Sequence, residues 1–90
     1  MISVELSKRF KKLVRQAGRE EEVSAIIRQA IEGFGRPHLH SGLSIRKLRG
    51  DIYECRAGLD WRLVFLAEKG VLIFDFAGNH DEVRSYLRGR

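Results

Sequence analysis

The apolar positions change period along the chain, and each change marks an element. Ile2, Val4 and Leu6 alternate with Ser3, Glu5 and Ser7, the period of two of a half-buried strand. Ser7 then offers a capping hydroxyl. Phe10, Leu13, Val14 and Ala17 recur at helical spacing while Lys8, Arg9, Lys11, Lys12 and Arg15 take the other face, and Gly18 can end this helix in a left-handed turn. Glu20, Glu21 and Glu22 open a second helix, where negative charge meets the free amides of a first turn. Val23, Ile26, Ile27, Ala30, Ile31 and Phe34 continue its apolar stripe, and Gly33 and Gly35 followed by Pro37 end it. The short connection at Gly18 predicts an antiparallel helical hairpin with one shared apolar side.

After a loop through His38, His40 and Gly42, the period returns to two. Four strand-like runs cover Leu43 to Arg49, Ile52 to Ala57, Trp61 to Ala67 and Val71 to Ala77, separated by Gly50-Asp51, Gly58 and Lys69-Gly70 at hairpin distances. Successive short connections predict a four-stranded antiparallel meander. Gly78 closes it, and a last helix from about Asn79 turns Val83, Tyr86 and Leu87 toward the core. The predicted class is α+β: a short N-terminal strand, a two-helix antiparallel hairpin, the meander and a C-terminal helix. No linker, repeat or low-complexity segment divides residues 1–90, so a single domain is expected.

Composition narrows what such a domain can do. Ninety residues bury only about 60% of their unfolded surface, which leaves no room for an elaborate cofactor cradle; no cofactor is expected, and any active site must be shallow. The lone Cys55 excludes an intramolecular disulfide, and no charged leader with an apolar stretch opens the chain, so a reducing, cytoplasmic setting is expected. The charge-free apolar runs, Gly70 to Phe74 among the longest, are far short of the roughly 20 residues that span a bilayer, so no membrane partner is expected. Seventeen basic against twelve acidic residues, a net charge of +5, suit a polyanionic partner such as nucleic acid.

Strand parity sorts the meander into two faces. Trp61, Leu63 and Phe65 match Tyr53, Cys55 and Ala57 as the face under the helices. Glu54, Arg56 and Arg62 fall on the opposite, open face. On the last helix His80, Arg84 and Arg88 recur every four residues and share a side. If that helix leaves the sheet beside Arg62, His80 stands at the rim of a shallow basic cleft whose positive edge Arg46, Lys47 and Arg49 extend. Charge and spacing fit a second picture equally well: a solvated face whose arginines pair with Glu54, Asp60 or Asp75, and a His80 that simply opens a helix. His38 and His40, taken with His80, Cys55 or Asp81, match no zinc spacing, so no metal site is expected. The glycines lack the strand-to-helix context of a nucleotide loop, and parity buries Cys55 away from any nucleophilic role.

Four segments in this order resemble the RelE/ParE toxin superfamily of toxin–antitoxin modules: Ile45-Arg46-Lys47-Leu48-Arg49-Gly50, Tyr53-Glu54-Cys55-Arg56, Asp60-Trp61-Arg62-Leu63-Val64-Phe65 and Gly78-Asn79-His80-Asp81-Glu82-Val83. The Lys-Leu-Arg-Gly turn and the Trp61 strand resemble RelE, in which an arginine matching Arg62 stabilises the scissile phosphate. Asp60, Trp61 and His80 resemble active-site positions of the YafQ branch. Two histidines of that branch are replaced by arginine, at Arg56 and near Arg46. A RelE active-site lysine matches Arg56, and another falls at Glu54 with its charge reversed. The C-terminal tyrosine of RelE has no counterpart, since Tyr86 fits the core face.

The resemblance implies an endoribonuclease that cleaves mRNA on the ribosome without metal, and a cognate antitoxin as partner. In that chemistry the RNA 2′-hydroxyl attacks the adjacent phosphorus, leaving a 2′,3′-cyclic phosphate and a 5′-hydroxyl. It needs a proton acceptor, a proton donor and fixed positive charge. Arg62 and Arg56 suit the fixed charge, His80 the proton donor, and Asp60 the acceptor or an orienting group. Arg46, Lys47, Arg49, Trp61 and Arg84 are the expected substrate-binding residues, although parity sets Trp61 in the core. Two alternatives share the fold: a ParE-like inhibitor of DNA gyrase, which generally lacks the histidine and arginines, and a catalytically silent binding member.

Overall fold

The computed structural model describes residues 2–33 and 45–89. Its elements, in chain order, are β1 (Ser3–Leu6), α1 (Lys8–Ala17), α2 (Glu20–Gly33), β2 (Arg46–Arg49), β3 (Ile52–Ala57), β4 (Trp61–Glu68), β5 (Val71–Gly78) and α3 (His80–Arg88). The expected order is the observed one. Phe34, Gly35, Pro37, His38, His40, Gly42 and the first two residues of the expected strand from Leu43 lie outside the described residues.

The helices start and stop where local chemistry requires. Ser7 Oγ accepts from the Phe10 amide at 3.0 Å and donates to the Asp75 carbonyl at 3.3 Å, so one hydroxyl caps α1 and ties it to β5. Gly18 ends α1 with φ 68°, a conformation in which a side chain would be strained. In α3, Asn79 and Glu82 form a reciprocal capping box, each side chain accepting from the other's amide at 2.9 and 2.8 Å.

The five strands form one mixed sheet in the order β1-β5-β4-β3-β2. β2 to β5 make the expected antiparallel meander. β1 does not extend it at the near end. It runs parallel to β5, with Ser3 opposite Val71 and Leu6 opposite Phe74, and so caps the far edge beside the last strand.

The helical hairpin covers one face of the sheet. Phe10, Val14 and Val23 pack there against Cys55, Leu63, Phe65, Leu72 and Phe74, with the Phe74 ring 4.9 Å from Phe65 and 5.5 Å from Phe10. The helix α3 covers part of the other face, where Val83 and Tyr86 meet Ile52 and Val64. A bulge in β5 shifts its alternation: Val64 faces Phe76 and Phe65 faces Phe74, leaving Asp75 as the extra residue. Leu72 and Phe74 therefore point to the hairpin, whereas Phe76 points to α3.

Candidate active site

The open face is built from adjacent rungs of β2, β3 and β4. Arg46 lies opposite Glu54, and Arg56 lies opposite Arg62. Residues paired across antiparallel strands share a face, so three guanidiniums and one carboxylate meet there. Arg62 is in turn opposite Gly78 of β5, two residues before His80. Arg62 and His80 line one depression of about 430 Å³ together with Leu59, Asp60, Asn79 and Asp81. The capping box fixes the start of α3 and hence the position of His80, while the turn through Gly58, at φ 80°, presents Leu59 and Asp60 beside it. Leu59 is 93% exposed.

Glu54 is 3% exposed, the buried charged residue of the described chain. Its Oε2 accepts a hydrogen bond from Arg62 Nη1 at 3.0 Å and forms an ion pair with Arg46 Nη2, also at 3.0 Å. The Arg62 side chain is 19% exposed and that of Arg46, on the edge strand, 64%. Arg56 is exposed and, among the described residues, makes no hydrogen bond or ion pair. The pairing of Arg62 with Glu54 was one of the alternatives that spacing left open, and it coexists with the depression shared with His80.

Other expected site residues fall elsewhere. Trp61 sits on the hairpin face, packed against the core there, with the Arg19 guanidinium 4.8 Å from its ring centre. The expectation that it lines the cleft is corrected by strand parity: its neighbour Arg62 and it point to opposite faces. Lys47 is opposite Tyr53 and so also points to the hairpin side, not along the edge occupied by Arg46. Arg49 does lie on the α3 side, but its Nη2 donates to the Leu87 carbonyl at 2.6 Å and binds the end of α3 to the sheet. Arg84 is exposed one turn beyond His80 and is not among the residues lining the depression.

Sequence reasoning missed a second polar cluster on the same side of the sheet. Asp75 Oδ2 accepts from Arg9 Nη2 at 2.6 Å and from the Tyr86 hydroxyl at 2.7 Å. The Arg9 guanidinium lies 5.1 Å from the Tyr86 ring centre, and the Tyr86 ring stacks on Phe76 at 4.7 Å. Burial by itself pushes the Asp75 carboxyl up, but the hydrogen bonds from Tyr86 and Arg9, the charge of Arg9 and the Ser7 hydroxyl together hold it below its usual value. The signal was present in the sequence as a carboxylate inside the apolar run from Val71 to Ala77. Cys55 is fully buried, and burial together with the neighbouring Glu54 charge pushes its thiol up to about 12, which removes it from nucleophilic chemistry.

Among the described residues, no group of three or more His, Cys, Asp or Glu side chains is placed to hold a metal ion, and no helix is long and apolar enough to cross a membrane.

No protein-family model and no curated protein matches the sequence. Solved structures do match. A chain of the DinJ–YafQ complex from E. coli superposes with a TM-score of 0.74 at 18% identity, over 92% of this chain and 98% of that one. The RelB–RelE antitoxin–toxin complex from Methanococcus jannaschii gives 0.67 at 19% identity, over 91% and 96%. The archaeal RelE–RelB complex from Pyrococcus horikoshii gives 0.65 at 20% identity, over 87% and 93%. With superposition over nearly the full length of both chains, the chain has the fold of the RelE and YafQ toxins.

Proposed function

We propose that this chain is the toxin of a type II toxin–antitoxin pair and acts as an endoribonuclease on mRNA, at the ribosome in the cytoplasm. The observation that carries the reading is that Arg62 and His80, from different elements, line one shallow depression with Asp60 beside them. A phosphodiester seated there has its non-bridging oxygens against Arg62, with Arg56 on the same rung. As the 2′-hydroxyl attacks phosphorus, Asp60 takes its proton and the guanidiniums meet the charge that grows on the phosphorane. His80 gives a proton to the departing 5′-oxygen, and the products are a 2′,3′-cyclic phosphate and a 5′-hydroxyl. No step calls on a metal or an organic cofactor.

The partner that restrains such an enzyme is an antitoxin. The basic face of α1, with Lys8, Lys11, Lys12 and Arg15, suits an acidic segment in it. A second reading, a binding protein without catalysis, is favoured by one observation: Glu54 already occupies Arg62. Cleavage of ribosome-bound and free mRNA by the wild type, His80→Ala and Arg62→Ala separates the two. The nuclease gives 2′,3′-cyclic ends that both substitutions reduce by a hundredfold or more, whereas growth arrest without any cleavage establishes the binding protein.

A further inference from the structure

Glu54 is out of place in a site for an anion. It is buried, it carries the charge of the substrate, and it lies among the three guanidiniums of the open face. Fold stability does not explain it, since buried ion pairs are often replaced by apolar side chains without loss. Its geometry is more informative. One carboxylate oxygen lies 3.0 Å from each of two guanidiniums, hydrogen-bonded to Arg62 and ion-paired with Arg46, much as a phosphate oxygen sits between two arginines.

Two consequences follow. Anchoring Nη1 of Arg62 fixes the plane of that guanidinium on the sheet, and the other N–H groups of its fork remain for a ligand in the depression shared with His80. The carboxylate also cancels part of the attraction for an incoming anion, because three guanidiniums against one carboxylate leave a balance of two positive charges where there would be three. We infer that Glu54 is a positioning residue for Arg62 and an internal competitor of the RNA phosphodiester, tuning the site toward turnover instead of tight retention. The identity of the substrate rests on the nuclease reading above; the competition for Arg62 does not require cleavage.

The test measures binding of a single-stranded RNA oligonucleotide carrying 2′-O-methyl groups throughout, which cannot undergo 2′-hydroxyl attack. Glu54→Gln is expected to bind it about tenfold more tightly than the wild type, with the slope of log K against log salt steeper by about 0.7 for one more effective phosphate contact. On cleavable RNA the same variant lowers kcat along with KM. A purely structural Glu54 predicts unchanged or weaker binding, and that result from folded Glu54→Gln overturns the inference. If Glu54→Gln does not fold, the wild type carries the test through the 13C resonance of the Glu54 carboxyl during titration with the same oligonucleotide: a shift saturating with binding supports competition for Arg62, and an unmoved resonance overturns it. Tighter binding by Glu54→Gln beside a wild type that never cleaves RNA overturns the nuclease reading alone. A cleaving wild type with no tightening in the variant overturns the role of Glu54 alone. If neither protein binds the oligonucleotide, both fall.

Discussion

Glu54 and Arg62 sit on neighbouring strands at diagonal positions, joined at 3.0 Å with the carboxylate buried and the guanidinium largely covered. A charge pair in that setting is costly to break from one side. Arg62→Ala is expected to lose about 2 kcal/mol of stability in urea denaturation, less than the roughly 3–5 kcal/mol of a wholly stranded buried charge because Arg46 stays with Glu54. Removing both partners together, as Glu54→Leu with Arg62→Leu, should cost less than the sum of the single changes.

The Asp75 cluster makes stability depend on pH. Its folded carboxyl is held below the usual 3.8, so its stabilising share is complete above that value and is lost as pH falls through the lower, folded one. Asp75→Asn lacks this share at every pH. Melting temperatures of wild type and Asp75→Asn should differ most at neutral pH, keep that difference down to about pH 5, and converge in more acidic solution. An equal difference throughout would remove the carboxylate charge from the explanation.

Trp61 packs against the hairpin core under Arg19, away from Arg62. Trp61→Phe is therefore expected to lower stability by about 1 kcal/mol, through lost contact area and a weakened cation–π contact, while leaving the affinity for RNA within twofold. The measurement is a paired one, denaturation beside oligonucleotide binding. A large loss of affinity with little loss of stability would return Trp61 to the cleft.

Cys55 supplies a probe of the whole core. With its thiol pushed up to about 12 and no exposed surface, it should resist iodoacetamide at pH 8 in the native state and react at the rate of a free cysteine in urea. The native rate then reports opening of the sheet between β3 and β4.

The legibility of this molecule in its sequence varied with the range of the interaction. Elements set by local periodicity and capping, such as α1 between Ser7 and Gly18 or β3 from Ile52 to Ala57, were readable because their causes lie within a few residues. Parity also placed Trp61 on the hairpin side and Arg62 on the open one, since it needs only the alternation of one strand. The face of Lys47 and the partners of Asp75 were not readable, although a carboxylate inside the apolar run from Val71 to Ala77 marked the place. The face of Lys47 depends on its register with Tyr53, and the bulge that frees Asp75 appears only when β4 and β5 are aligned. The meeting of Arg62 with His80 fell between these cases: spacing permitted it, but only the pairing of Arg62 with Gly78 brings the start of α3 to the same spot.

The parallel pairing of β1 with β5 has a kinetic side. Contacts between them, such as Ser3 with Val71, join positions 68 residues apart, and such long-range pairings slow folding because loop closure precedes any gain from contact. β1 thus waits for β5 before it has a neighbour in the sheet. Until then the alternating apolar residues Ile2, Val4 and Leu6 lack their strand partner, so this segment is open to mispairing, and slow translation through β5 prolongs that exposure.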